Sequence, residues 1–381
     1  MLEKLTIALA ERQAQGLYRQ RRIVAGPQSV VQQMDGRTVL SFCSNDYLGL
    51  AVDPRLAEAV QRGVQQYGVG SGAAHLVTGH TAAHHALEEE LAEFVGAERA
   101  LLFSTGYMAN LGVLTALARA GDPIVQDRLN HASLLDGARL AGGRLHRYRH
   151  RDMVDIQRVL HKVTGRCLVV SDGVFSMDGD LAPLAELCQI AAQHQATLMI
   201  DDAHGFGVLG EQGRGSVRPG QVPIYVATLG KALGVAGAFV AGSAALIETL
   251  IQQARSYIYT TAMPAALAEA VRTSLRIVAQ EQWRRDHLQA LVQFFRHEAK
   301  RLGLPLLASD TPIQPIMLGS AEVANAWSEA LYQQGILVTA IRPPTVPKGN
   351  ARLRITFSAA HQMDQVAQLL TALQQCKAIS P

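Results

Sequence analysis

The chain of 381 residues has a formal net charge of +3 with 18% charged residues, a balance too mild and too mixed to mark nucleic acid as its main partner. Its 48% hydrophobic content supports a large core, and the length exceeds what one core usually holds, so two or three domains are expected. No apolar run approaches the roughly 18 residues of a membrane span, and Cys43, Cys167, Cys188 and Cys376 are scattered without a C-x-x-C pair, which argues against a zinc knot or a disulfide framework.

In chain order, MLEKLTIALAERQAQGLYRQRR reads as an amphipathic helix. Glu3 and Glu11 set it apart from a secretory signal or an acid-poor transit peptide, and a cytoplasmic location is expected. A hairpin is expected around Asp35-Gly36, leading to LSFCSNDYLGL. Asp53 and Pro54 open a helix over DPRLAEAVQRGVQQYG. Thr81 opens another over TAAHHALEEELAEFVG, with Leu87, Leu91 and Phe94 at helical spacing. The short apolar runs RALLFS, PIVQD, CLVVSDG, TLMIDD, YVATLG and GAFVAGS follow, several separated by helical patterns. This alternation predicts an α/β fold with a mainly parallel central sheet covered by helices on both faces. From about residue 265 a long helical region crosses QEQWRRDHLQALVQFFRHEAKRLG and gives way to strand and helix pieces of a smaller α+β domain. The expected division is a helix-and-hairpin segment over 1–45, a large domain over 46–270 and a small C-terminal domain over 271–381.

Two segments carry most of the chemistry. In ATLMIDDAHGFG, an apolar run of strand length delivers Asp201, Asp202 and His204 onto a glycine turn, where an α/β sheet usually displays reactive groups. In IYVATLGKALG, Thr228 and a lone lysine, Lys231, lie just past another such run. A lysine in apolar surroundings loses hydration, its pKa falls, and the neutral amine becomes available for Schiff-base chemistry. A carboxylate at a neighbouring strand end keeps a pyridine nitrogen protonated. An amine for the aldehyde and an anion for the ring are what pyridoxal phosphate needs most. Taken singly, Lys231 also reads as a solvated surface charge, and Asp201 and Asp202 as turn residues accepting backbone hydrogen bonds.

Other patterns fail on context. Gly205, Gly207 and Gly210 form G-x-G-x-x-G after a strand, but the turn-rich EQGRGSVRPG stands where a dinucleotide-binding unit needs a helix. Gly68, Gly70 and Ala73 fit the loose pattern yet follow a helix, and Gly230-Lys231 lacks the upstream glycine of a phosphate loop. His80, His84 and Glu88 share a helical spacing that suits a metal, but a polar helix face is the commoner explanation, and no metal is expected.

The segments SNDYLGL, GVGSGAAHLVTGH, STGYMANLG, NHASLLDG, SDGVFSMDGD, DDAHGFGVLGEQGRG, TLGKALGVAGA, IYTTAMP and AIRPPTVPKGNARLRIT cover nearly the whole chain. In that order they resemble the pyridoxal-phosphate-dependent α-oxoamine synthases of fold type I. The resemblance implies that Lys231 forms the Schiff base, that Asp201 partners the pyridinium nitrogen, and that His204 and Ser176 lie at the phenolic oxygen. It implies that His131 stacks over the pyridine and meets substrate, although this residue alone reads equally well as a structural histidine. Gly106 and Tyr107 correspond to a phosphate-binding pair ahead of the helical stretch MANLGVLTALARA, whose N-terminal amides and dipole suit an anion. Thr228 adds a hydroxyl to that phosphate. Thr261 matches a residue supplied by the partner subunit, which implies a homodimer with shared active sites.

Arg354 matches the arginine that grips the amino acid carboxylate, a task suited to its planar fork. Arg19 corresponds to an acyl-substrate contact, with Arg21 and Arg22 beside it as competing matches, and Asn45, Thr345 and Arg342 to further substrate contacts. Asp172 stands where many relatives have glutamate and Phe206 where they often have threonine. Local repacking is expected at both, with either able to alter the substrate pocket. The IRPPTVP segment favours the biotin-pathway branch of the family. That branch implies decarboxylative condensation of L-alanine with a pimeloyl thioester, pimeloyl-CoA or pimeloyl-acyl carrier protein, with Lys231 as general base. A glycine C-acyltransferase of the same family would keep every cofactor residue and change only substrate contacts. A catalytically silent binding protein on the same fold is the remaining alternative, and the intact lysine, aspartate and phosphate set argues against it.

Overall fold

Residues 2–379 are described by a computed structural model of the chain. Its backbone contacts separate two compact units, one of residues up to 49, 177–180 and from 286 on, the other of residues 50–176 and 181–285. The first unit opens with the helix Leu2–Ala14, in which Leu5, Ile7 and Leu9 are each about half exposed. Apolar residues two apart point to different sides of a helix. Leu5 and Leu9, four apart, nevertheless share one face, and among the described side chains of this helix none is buried. The strands β1 (Val31–Met34) and β2 (Arg37–Ser41) are joined through Asp35 and Gly36, at φ 49° and 78°. Positive φ at both central residues gives the primed turn whose twist matches paired strands, and the hairpin forms where the sequence puts it.

The second unit is built on a seven-stranded sheet. Its strands are β3 (Arg99–Phe103), β4 (Pro123–Asp127), β5 (Arg144–Tyr148), β6 (Leu168–Asp172), β7 (Thr197–Asp201), β8 (Ile224–Thr228) and β9 (Ala238–Gly242). They lie in the order β3-β9-β8-β7-β6-β4-β5. From β5 to β8 all pairings are parallel, and β9 runs antiparallel to both β8 and β3. All six apolar runs of the sequence are strands of this sheet. The seventh, β5, reads RLHRY and escaped notice because an edge strand is free to carry charge, whereas β4 and β6 are buried along their whole length. Val113 and Leu114 of the helix Gly106–Leu117, Leu134 of the helix Ala132–Leu140, and Val170, Met199 and Val226 of the sheet share one core.

The chain leaves β4 for β5 on one side and then places β6 on the other. Such a reversal opens a crevice at the carboxyl ends of the strands, where open α/β sheets bind their ligands. At those ends lie His131 after β4, Asp172 closing β6, Asp201 closing β7 and Thr228 closing β8.

The rest of the first unit carries β10 (Ile313–Gly319), β11 (Ile336–Leu337), β12 (Thr339–Ile341) and β13 (Ala351–Thr356). β13 pairs antiparallel with β10 and β12, while β11 runs parallel to β2. With the helices Ala321–Gln333 and Met363–Ile379 this is an α+β arrangement. The long helical region expected from about residue 265 is two helices, Ala265–Gln280 and Gln282–Arg301, broken at Glu281. Among the described residues no helix is long and apolar enough to cross a membrane.

Within the second unit the helices Pro54–Tyr67 and Ala265–Gln280 approach closely because Gly63 has no side chain. A Cβ there would lie 2.7 Å from Ala266 Cα, a backbone atom that has nowhere to go. Gly→Ala inside an open helix stabilises by about 1 kcal/mol. At Gly63 the sign reverses: Gly63→Ala is expected to destabilise by about 1–3 kcal/mol, the usual range for overpacking. Urea unfolding of the two proteins checks this, and a stabilised variant would contradict the close helix contact.

Candidate active site

Successive residues of a strand point to opposite faces, so the two aspartates that end TLMIDD part company. Asp201 Oδ2 accepts a 2.6 Å hydrogen bond from Asn110 Nδ2, and Oδ1 accepts the Ala203 amide at 3.0 Å. Asp202 turns the other way and is fully buried. It accepts from Ser216 N at 2.7 Å, Ser216 Oγ at 2.6 Å and the Tyr225 hydroxyl at 2.9 Å. Burial pushes its carboxyl up to about 6 against the pull of those hydrogen bonds. Asp202 is therefore a structural anchor, and the turn reading made for both aspartates holds for it.

A chain of polar groups runs from Asp201 to His131. Asn110 Nδ2, a donor only, also reaches Ser133 Oγ at 2.8 Å. The Ser133 hydroxyl is thus left to donate to His131 Nδ1, 2.7 Å away, where the Ser133 amide also points at 3.3 Å. With two donors on Nδ1, the imidazole carries its proton on Nε2. Burial holds His131 below the usual histidine range, with the Lys231 charge adding to this and Asp201 opposing it, so the ring is a neutral plate at neutral pH. The Asp172 carboxylate fixes its backbone by accepting the His131 amide at 2.7 Å. Burial, and then the Asp201 charge, push Asp172 well above the ordinary carboxyl range. Asp172 thus braces the His131 turn. Phe206, the second departure, is fully buried against Phe94 and Phe239, with ring centroids at 5.9 and 5.1 Å, and packs the core of its unit.

Lys231 sits in the turn after β8, with Nζ 2.8 Å from His204 Nε2. That contact fixes the amine beside the imidazole at hydrogen-bond distance. At the end of β8, Thr228 Oγ1 donates to Gly237 O at 3.0 Å and accepts the Gly230 amide at 3.3 Å. Facing it is the start of the helix Gly106–Leu117: a Cβ on Gly106 would have Thr228 Cβ, 4.0 Å away, as its nearest neighbour. Thr105 caps this helix by accepting the Met108 amide. Amides of a first helical turn lack intrahelical partners and favour an anion. Tyr107 stands edge-on to His131, with centroids 6.4 Å apart, and its hydroxyl donates to Asp136.

The second unit therefore brings together Lys231, His204, Asp201, His131, Thr228, Gly106 and Tyr107 at the carboxyl ends of its strands. An amine, a carboxylate, a neutral ring and an anion-binding helix start match the aldehyde, ring nitrogen, ring face and phosphate of pyridoxal phosphate. Asn110, Ser133 and Asp136 were missed by the sequence reading. Ser176 is half-buried beyond β6, and Thr261 is exposed on the connection leading to Pro264.

The first unit holds the remaining candidates in two clusters. Arg354, nearly buried on β13, donates to Asn45 Oδ1 at 3.2 Å, and the Tyr47 hydroxyl donates to the same oxygen at 3.2 Å. Burial pushes that phenol up to about 12. Separately, Arg342 donates to Asn325 Oδ1 at 3.2 Å and to Tyr18 O at 3.1 Å, which ties the Arg19 segment to the turn in which the Thr345 amide meets Arg342 O. Arg19 and Thr345 are exposed. His84, one of the three metal candidates, is fully buried and engaged at both nitrogens, by the Thr81 amide at Nδ1 and by Met263 O at Nε2.

A lysine paired with an imidazole, beside a strand-end carboxylate and an anion-binding helix start, defines a fold type I pyridoxal-phosphate enzyme. The family model for aminotransferase class I and II matches residues 37–373. An 8-amino-7-oxononanoate synthase from Nitrosococcus oceani is 62% identical over 96% of this chain and 99% of its own length. Among solved structures, a serine palmitoyltransferase variant from S. paucimobilis with bound pyridoxal phosphate superposes with a TM-score of 0.93 at 28% identity, covering 98% of this chain and 97% of the other. An 8-amino-7-oxononanoate synthase from Francisella tularensis gives 0.78 at 33% identity over 88% and 97%. The chain belongs to the aminotransferase class I and II family and, within it, to the 8-amino-7-oxononanoate synthases.

Asn110→Ala removes a charge-assisted hydrogen bond of about 1.5–3 kcal/mol from the buried Asp201. Turnover is expected to fall about 10- to 100-fold with the cofactor still bound. Steady-state kinetics with a cofactor absorbance check tests this, and unchanged turnover would dissociate Asn110 from the site.

Proposed function

We propose that the protein is a pyridoxal-5′-phosphate-dependent acyltransferase of biotin biosynthesis that condenses L-alanine with a pimeloyl thioester to give 8-amino-7-oxononanoate. A carbon–carbon bond forms between the alanine Cα and the acyl carbon. The carbon–sulfur bond breaks to free the thiol carrier, coenzyme A or acyl carrier protein, and the alanine carboxylate leaves as carbon dioxide. The observation that carries this reading is the Lys231–His204 contact at the sheet edge that also ends in Asp201, in a chain 62% identical to a synthase of that name.

When bound, the cofactor supplies an aldehyde that takes up an amine and a protonated ring that stabilises negative charge at Cα. Lys231 would hold that aldehyde and is the base that would take the Cα proton, with His204 Nε2 2.8 Å from Nζ to orient the amine. Asp201 holds the proton at the ring nitrogen, and the neutral His131 covers the ring face. Gly106, Tyr107 and Thr228 hold the phosphate, and Ser176 serves the phenolic oxygen beside His204. The roles of Arg354 at the alanine carboxylate, of Asn45, Thr345 and Arg342 as further substrate contacts, and of Arg19 at the acyl chain rest on the family resemblance. Thr261 completes the phosphate site of the partner subunit in a homodimer, and the enzyme works in the cytoplasm.

Lys231→Ala is expected to leave the fold intact, to abolish borohydride fixation of the cofactor to the chain, and to lower turnover by about 10²- to 10⁴-fold, the span of general-base catalysis. Normal product formation with the cofactor still fixed by borohydride would refute the assignment. For the acyl side, Arg19→Ala is expected to raise the KM for pimeloyl thioester while alanine Cα-proton exchange stays unchanged. If the unmodified enzyme turned over glycine with acetyl thioester faster than alanine with pimeloyl thioester, the substrate assignment would be wrong.

A further inference from the structure

The turn that enters the helix Ala82–Val95 gathers side chains that the proposed reaction does not use. His80 precedes the Thr81 cap, and His85 and Glu88 follow it on the helix three residues apart, which puts them on one face. One ligand atom from each of the three lies within 4.8 Å of the other two. His80 Nε2 faces Glu88 Oε2 at 4.0 Å, too far for a hydrogen bond and wide enough for an ion.

The supports behind these atoms are already made. Glu88, with its side chain 12% exposed, uses Oε1 to accept the Leu102 amide at 2.9 Å, which aims Oε2 at His80. His80 Nδ1 lies 3.1 Å from Nδ1 of His75, and His75 is buried and stacked on Tyr257 with centroids 5.1 Å apart. When His80 Nδ1 donates to His75, its Nε2 lone pair points at the gap; ligating histidines are oriented in this way by a partner on their other nitrogen. His85 is mostly exposed, and Glu89 lies 3.5 Å from its Nε2. An exposed ion pair of that kind holds its partners weakly.

We propose that His80, His85 and Glu88 form a binding site for a zinc-type divalent cation, separate from the Lys231 cluster. Two imidazoles and one carboxylate suit zinc, leaving further positions to water. Zinc–ligand bonds of 2.0–2.1 Å place tetrahedral ligands roughly 3.3 Å apart, so small side-chain rotations close the site around the ion. The ion ties the turn after His75–Gly79 to the first turns of the following helix. The helical triad read from the sequence changes by one member, because His84 is committed to its cap and to Met263.

Zinc titration of the holoenzyme in competition with a chromophoric chelator tests the proposal. The expected result is one zinc per chain, with affinity reduced at least about tenfold in both His85→Ala and Glu88→Gln and unchanged in His297→Ala, an exposed histidine elsewhere. His85 is exposed, and glutamine keeps an acceptor for the Leu102 amide, so both variants retain the fold; the cofactor absorbance confirms it. Absence of competition by the holoenzyme, or an affinity that either variant leaves unchanged, overturns the site.

Discussion

A carboxylate taken out of water must be met by donors, and Asp201, a residue 6% exposed at the end of β7, is the constraint on which the site is built. Its main donor, Asn110, belongs to the helix whose first residue is Gly106. Those two residues are one helical turn apart, about 6 Å along the axis. One rigid helix thus sets both the anion-binding end of the crevice and the hydrogen bond to the carboxylate. The same asparagine hands on through Ser133 to His131 and fixes the tautomer of the ring that faces the site.

The neighbouring Asp202 shows what anchoring this strand end requires. Glycines surround it because nothing larger fits: a Cβ on Gly173, Gly205 or Gly215 would approach its carboxylate oxygens to 2.7, 2.1 or 2.2 Å. Of the glycines that imitate a nucleotide loop, Gly205 packs on this buried acid, Gly207 on Ala232 and Gly210 on the backbone of Gly215. Raised to about 6, the Asp202 carboxyl holds a proton more tightly in the folded chain than in the unfolded one. Its contribution to stability therefore falls as pH rises from near 4 through about 6. Three hydrogen bonds offset that cost and hold the turn that presents His204 to Lys231.

Much of this was legible in residue order. Apolar runs marked six of the seven strands because each of the six is buried along nearly its whole length, and β5 was lost because it is an edge strand that carries charge. The placement of Asp201, His204 and Lys231 at and beyond strand ends was legible because strand-end glycine turns confine the places where such groups can stand. The choice of Asp201 over Asp202 came from the family resemblance, and strand alternation supplies its physical reason. Asn110 and Ser133 carry no motif, since a hydrogen-bond relay is a matter of distance between segments remote in sequence. The helical spacing of His80, His84 and Glu88 did not reveal that His84 is consumed in capping, which leaves His85 as the third member of the proposed cation site.

The central claim is that Asp201 makes the bound cofactor an electron sink. Proton exchange at Cα of L-alanine, followed by NMR in deuterium oxide without acyl donor, isolates that step. Asp201→Asn is expected to retain pyridoxal phosphate and to exchange at least about 100-fold more slowly, since a neutral amide does not hold the ring nitrogen protonated as a carboxylate does. Exchange at the rate of the unmodified enzyme would contradict the account.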